Sequence, residues 1–91
     1  MGRRSLAEQL LEPYLEEEPG TDTWLVLYDF QGVKPPTKLY DNINRLNNQI
    51  PGSLIQYSVY MTQDQRAAKT MRDLVGHYDG QVTMFRGTLV E

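Results

Sequence analysis

Asp29 is the side chain best placed to do chemistry, an ionisable carboxylate that directly follows the apolar run Leu25-Val26-Leu27-Tyr28. Such a run reads as a β-strand leaving a core, and the ends of strands, where a loop takes over, are where sites are built. One carboxylate holds a divalent cation weakly, because Mg²⁺ takes one or two protein carboxylates and completes its shell with waters and phosphate oxygens. Two copies of Asp29 brought together by a two-fold dimer would supply a pair. The alternative is local: an aspartate at this position also caps the following loop through an Asx-turn.

Other reactive groups form no recognisable constellation. His77, the only histidine, falls near the end of a helical segment, where the helix dipole favours a protonated imidazole, and reads as structural. Ser58 has no histidine base in its pattern and no nucleophile-elbow turn around it. No zinc-ligand spacing, phosphate-binding glycine loop or dinucleotide fingerprint occurs. Lys34, Lys38 and Arg45 make a modest basic cluster around the first loop and helix, suited to a phosphate or to a solvated helix face. Trp24, Tyr28, Tyr57 and Tyr60 fall on strands, where they serve either as stacking platforms for RNA bases or as packing.

The elements that must position these groups follow from pattern. Trp24 to Asp29 is nearly continuous apolar, as a central strand covered on both faces should be. Gly32 and Pro35-Pro36 end it and lead into a helix from about Thr37 to Gln49. There Leu39, Ile43 and Leu46 form the inward stripe, while Lys38, Asp41, Asn42, Arg45 and Asn48 face away. After Pro51-Gly52, Ser53 to Met61 alternates with period two, Ile55, Tyr57, Val59 and Met61 on one face and Leu54, Gln56, Ser58 and Tyr60 on the other. This stretch has room for one long strand or for two very short ones bent by a bulge. Thr62-Gln63-Asp64-Gln65 has the form of a capping box and starts a helix that runs through Met71 and Leu74 to Tyr78. Asp79-Gly80 ends it, Gln81 to Arg86 makes another strand, and Thr88-Leu89-Val90 is a last short strand or an arm that pairs with another chain.

Ahead of this unit, Ser5-Leu6-Ala7-Glu8 is also a capping box, opening a short apolar-faced helix that Pro13 ends or kinks near Glu12. Glu16 to Asp22 reads as a linker. The expected organisation is therefore a helical extension over residues 1–22 and a domain over 23–91. Two helices on one face of an antiparallel sheet make that domain an α+β, ferredoxin-like (split βαβ) sandwich with an extra N-terminal helix.

Composition narrows the function classes. The chain has 91 residues, no cysteine and a formal charge of −3 from 9 basic and 12 acidic side chains. One core is expected, without disulfides, thiolate nucleophiles or cysteine zinc sites. Its apolar runs are too short for a membrane span or a secretory signal, so the cytoplasm is the expected compartment. Half of the acidic residues (Glu8, Glu12, Glu16, Glu17, Glu18 and Asp22) belong to the extension, which leaves the domain close to neutral. Affinity for nucleic acid would then come from a local patch and not from a diffuse basic surface. A domain this small gains stability from pairing an edge or an apolar face with a second copy, so a homodimer is expected.

Two segments, in order, resemble one family. Leu27-Tyr28-Asp29-Phe30, followed by a basic loop and a helix, is similar to the start of the second CRISPR-associated protein (Cas-two) family of small metal-dependent nucleases and spacer-acquisition partners. Ile55-Gln56-Tyr57-Ser58-Val59-Tyr60 resembles that family's second-strand signature, in which a glutamine, a serine, a valine and an aromatic recur at this spacing. The similarity runs from about Thr23 to Val90 and is specific in these two segments. It implies a ferredoxin-like homodimer whose strand-end aspartates face each other and bind Mg²⁺ for phosphodiester hydrolysis of RNA or DNA, with a CRISPR adaptation protein as a further partner. By this resemblance Asp29 is the metal ligand and catalytic carboxylate, and Tyr28 its catalytic neighbour. Lys38 lies near a basic position of the family's first helix and Tyr60 takes the place of a strand-end aromatic; with Lys34 they are the expected nucleic-acid contacts. Pro35-Pro36 and Leu54 stand where family members commonly carry arginines, and the acidic N-terminal helix is an addition. A non-catalytic interaction module, docking a partner through its N-terminal helix or C-terminal strand, is the alternative from another class. A toxin-like ribonuclease of the related virulence-associated type would share the fold.

Overall fold

Residues 4–90 are described in a computed structural model of the chain; residues 1–3 and Glu91, the outer ends of the expected extension and domain, lie outside them. Along the chain come α1 (Leu6–Leu11), a 3₁₀ turn (Glu12–Tyr14), β1 (Thr23–Asp29), α2 (Thr37–Gln49), β2 (Ser53–Gln56), β3 (Val59–Thr62), α3 (Gln65–His77) and β4 (Gln81–Gly87). The four strands form one antiparallel sheet in the order β2-β3-β1-β4. With α2 and α3 on one face, this is the ferredoxin-like βαββαβ arrangement, and β1 is interior, as its apolar run predicts.

The fourth strand comes from splitting the stretch that alternates with period two. Ser53 to Met61 folds back on itself as a hairpin, with Tyr57 and Ser58 as its two central residues between the paired Gln56 and Val59. Ser58 takes a left-handed backbone (φ 67°), and the register shifts between Leu54 and Gln56. The absence of glycine or asparagine at the turn hides the hairpin from a pattern reading, since those residues are the usual signal for positive φ.

Strand alternation puts Val26, Tyr28, Tyr60 and Thr62 on the helix side, where they are buried with Leu39, Ile43, Leu46, Met71, Leu74 and Val75. Tyr60 is the largest fully buried side chain, and its hydroxyl donates to Asn47 Oδ1 at 2.8 Å. A Cβ at Gly52 would run into that hydroxyl, and one at Gly80 would lie 2.7 Å from the Phe30 ring, so both glycines are fixed by close approach of an aromatic.

At the start of α3 the cap lies further along than the sequence pattern suggests. Thr62 ends β3; its hydroxyl donates to the Pro51 carbonyl and accepts from the Asp64 amide. Asp64 is the N-cap, accepting from the Arg66 amide at 2.9 Å and from the Arg66 guanidinium at 2.8 and 3.0 Å. The Ser5/Glu8 capping box of α1, by contrast, forms as read.

The N-terminal extension lies across the outside of the helix layer. Ala7 and Leu11 join the core, and the Ala7 amide donates to Asn42 Oδ1 at 2.9 Å. Asn42, expected to face away, is buried because α1 covers that side of α2; its amide nitrogen also donates to the Lys38 carbonyl. Further along, Lys69 pairs with Glu17, and Gln65 donates to the carbonyls of Glu18 and Pro19 through its side chain and backbone. The acidic linker is thus strapped to α3. Among the described residues no helix is long and apolar enough to cross a membrane.

Candidate functional site

Asp29 is the last residue of β1 and is exposed. Alternation along β1 places it with Leu25 and Leu27 on the face of the sheet that the helices leave open, opposite Gln81 in the register with β4. On the other side, Leu27 pairs with Val59 and the Tyr28 amide donates to the Ser58 carbonyl at 3.0 Å, which holds the hairpin turn beside the strand end. Leu27, Asp29, Ser58, Val59, Gln81 and Thr83 border a shallow depression of about 340 Å³. Leu27 and Val59 give it an aliphatic part, and Asp29, Ser58, Gln81 and Thr83 a polar one. Among the described residues, no hydrogen bond or ion pair engages the Asp29 carboxylate, so the Asx-turn that would explain it as a loop cap is not formed.

Tyr28 also borders this depression along the strand, but its ring does not face it. One residue earlier on the strand, it points to the opposite face, where it is 4% exposed and packs edge-on against Phe30. Its hydroxyl and that of Tyr40 are buried without a hydrogen-bond partner among the described residues. Burial raises the Tyr28 hydroxyl above its ordinary value; burial, with Tyr57 and Tyr28 nearby, raises Tyr40 well above its own. Both remain protonated at neutral pH, on the far side of the sheet from Asp29. Tyr60 corrects a further expectation: a ring enclosed under the helices, with its hydroxyl held by Asn47, offers no face to a nucleobase.

The basic residues divide in an informative way. Arg4, Arg66, Lys69, Arg72 and Arg86 each pair with a carboxylate. Among the described residues Lys34, Lys38 and Arg45 are the cations without an ion-pair partner. Lys34 is exposed in the loop that leaves Asp29. Lys38 and Arg45 instead border a polar depression of about 260 Å³ with Ser5, Asp41 and Asn42, on the α1 side of α2. Lys38 therefore belongs to the helix layer and does not converge with Asp29. His77 is exposed at the end of α3 with its ring edge-on to Tyr78.

Sequence reasoning missed Gln81 and Thr83 as neighbours of Asp29. Both are exposed polar residues on β4, and their proximity depends on a register between strands more than fifty residues apart. Ser58, set aside as a nucleophile, borders the depression as the strained residue of the turn.

As a metal site, one chain contributes a single carboxylate here, and no group of three or more metal-ligating side chains occurs among the described residues. The donor set fits a hard cation such as Mg²⁺, which accepts one or two carboxylates and otherwise water and phosphate oxygens, and does not fit zinc. No family model, no curated protein and no solved structure matches the chain.

Proposed function

We propose that this protein is a homodimeric, Mg²⁺-dependent nuclease similar to the Cas-two family, hydrolysing RNA or DNA or serving spacer acquisition with a CRISPR adaptation protein in the cytoplasm. The observation that carries the reading is the uncommitted Asp29 carboxylate, exposed at the end of the central strand on an uncovered apolar face. Leu25, Leu27, Val59 and Met61 are only half-buried there, and Phe85 is 57% exposed. A strand apolar on both sides is the sequence of a doubly covered strand. A second copy packed on this face, with the two-fold axis near the β1 end, covers the apolar residues and brings two Asp29 carboxylates together.

In that dimer the paired Asp29 side chains hold the cation, and Gln81 and Ser58 stand beside them to hydrogen-bond a phosphate or a water. The chemistry such an ion supplies when bound is neutralisation of charge on the scissile phosphate and acidification of water. Lys34, in the adjoining loop, is the cation nearest in sequence for a flanking phosphate. Tyr28 contributes packing beneath the site and touches no substrate. The second reading, a docking module without catalysis, draws on the same open face and on the single carboxylate per chain.

The test is titration of Mg²⁺ or Mn²⁺ into wild type and Asp29→Ala, with incubation of both on labelled single- and double-stranded RNA and DNA. Metal binding and cleavage that vanish together in the variant support the nuclease. A wild type that binds no metal and cuts nothing leaves the docking module.

A further inference from the structure

The open face of the sheet is ordered along its strands. Pairing sets Met61, Leu25 and Phe85 side by side in one row across β3, β1 and β4, and Val59, Leu27 and Thr83 in the next. The row at the strand end is polar, with Asp29 beside Gln81 and Ser58 on the hairpin side. The chain is a plate of 36 × 36 × 17 Å, so this side presents a face on the order of 1,000 Å², against about 800 Å² that each partner of a standard interface buries. A second copy has room to cover it.

Face-to-face packing keeps the strands of two sheets within about 30° of each other, so the two-fold axis lies between the sheets and runs either along β1 or across it. An axis across the strands at Asp29 pairs the carboxylates but carries the apolar rows of the two copies away from each other. Moved to the middle of β1, the same axis covers the apolar rows but sets each Asp29 opposite the other copy's Thr23, about 20 Å along the strand from the second carboxylate. An axis along β1 meets both demands. Each β1 residue then lies over its own copy, and β4 of one chain lies over β3 of the other.

We propose that two copies pack about an axis along β1, so that Phe85 seats on the second copy's Met61 and Gln81 meets its Ser58; this rests on the homodimeric nuclease reading. The metal-binding end is then built from both chains, each flank of the Asp29 pair taking its Gln81 from one copy and its Ser58 from the other. Like meets like along the face. An aromatic ring lies on a thioether, Leu25 and Leu27 lie on themselves, and an amide that donates and accepts meets a hydroxyl. Packed sheets stand about 10 Å apart, which lets two inward-reaching aspartates share one cation.

The test uses the full-length chain in two measurements. In the first, Phe85→Lys and Met61→Glu are prepared separately and then mixed, with association followed by sedimentation velocity. Each variant alone sets its charge against an apolar side chain at two contacts and is expected to dimerise at least about 10-fold more weakly than wild type. In the mixture the new lysine meets the new glutamate at one contact, Phe85 meets Met61 at the other, and association tightens at least about 10-fold. In the second, Thr23→Cys carries a nitroxide, its cysteine being the only one in the chain. An axis along β1 puts the two labelled backbones about 10–15 Å apart and broadens the spectrum by spin coupling, whereas an axis across the strands at Asp29 puts them about 40 Å apart. Uncoupled labels in the dimer overturn the proposal, and so does a mixture that stays as weak as its components; Asp29-dependent cleavage in either case leaves the nuclease standing. Coupled labels and recovery in the mixture, with no metal binding or cleavage by wild type, do the reverse.

Discussion

The two faces of the sheet are built from similar residues and meet different fates. On the helix side Val26, Tyr28 and Tyr60 are at most 4% exposed, closed in by α2 and α3. On the other side Leu25, Leu27, Val59 and Met61 are half-buried, Phe85 is exposed, and the C-terminal Leu89 and Val90 border the same surface. Sequence pattern does not distinguish the faces, because β1 is apolar at both parities. The difference teaches that the core of one chain accounts for one face and leaves the other as an open apolar surface, of the kind that association can cover.

The largest effect lies on the covered face. Tyr60→Ala removes the largest fully buried side chain and leaves Asn47 without its donor, so a loss of about 3–5 kcal/mol is expected, as for other buried aromatics. Urea denaturation measures it. A cost near zero there would erase the distinction between the faces. Phe85→Glu puts a charge on the open face, where it costs the isolated chain at most about 0.5 kcal/mol. If a second copy covers that face, the same substitution converts dimer to monomer, which sedimentation velocity across a dilution series reads directly. A wild type that is monomeric throughout, or a variant that stays dimeric, breaks the comparison.

A smaller effect separates folding electrostatics from the site. Burial alone would raise the Asp64 carboxyl, but the hydrogen bonds and charge of Arg66 more than offset it and hold the group below the ordinary carboxylate range. A depressed native value means that the stabilisation is fully present above the unfolded value of about 3.9 and is lost as pH falls through the folded value. Asp64→Asn keeps a capping side chain and loses the ion pair. It should therefore melt close to wild type at pH 3, fall below it by about 1 kcal/mol or less at pH 7, and show a flatter acid limb.

Much of this fold was legible because its signals are local. Apolar periodicity marks α2 and α3, the Ser5/Glu8 pair marks α1, and the β1 run marks the central strand. The β2–β3 hairpin was obscured by a turn without glycine, and Asn42 was misplaced because burial beneath α1 is a tertiary fact. The site divides in the same way. Asp29 stands out from its place at a strand end, whereas the orientation of Tyr28 and Tyr60 depends on which face the helices cover. Gln81 and Thr83 become neighbours of Asp29 only through strand register. Lys38 looked close to Asp29 along the chain, yet α2 turns it toward α1.

The smallest effect bears on the open face most directly. Asp29 is exposed and engages no hydrogen bond or ion pair among the described residues, so Asp29→Asn should leave the stability of a single chain within about 0.5 kcal/mol of wild type. In the proposed dimer its consequence lies between chains. Two carboxylates drawn together across a two-fold axis repel when no cation lies between them, and that repulsion opposes association. In a chelator, wild type is therefore expected to dissociate at higher protein concentration than Asp29→Asn, and added Mg²⁺ to tighten the wild-type dimer while leaving the variant unmoved. Dimerisation measured by dilution in chelator and in Mg²⁺ gives the sign. Equal association of the two proteins under both conditions would place the two Asp29 side chains apart, and the apolar face would then be a docking surface with no metal at its end.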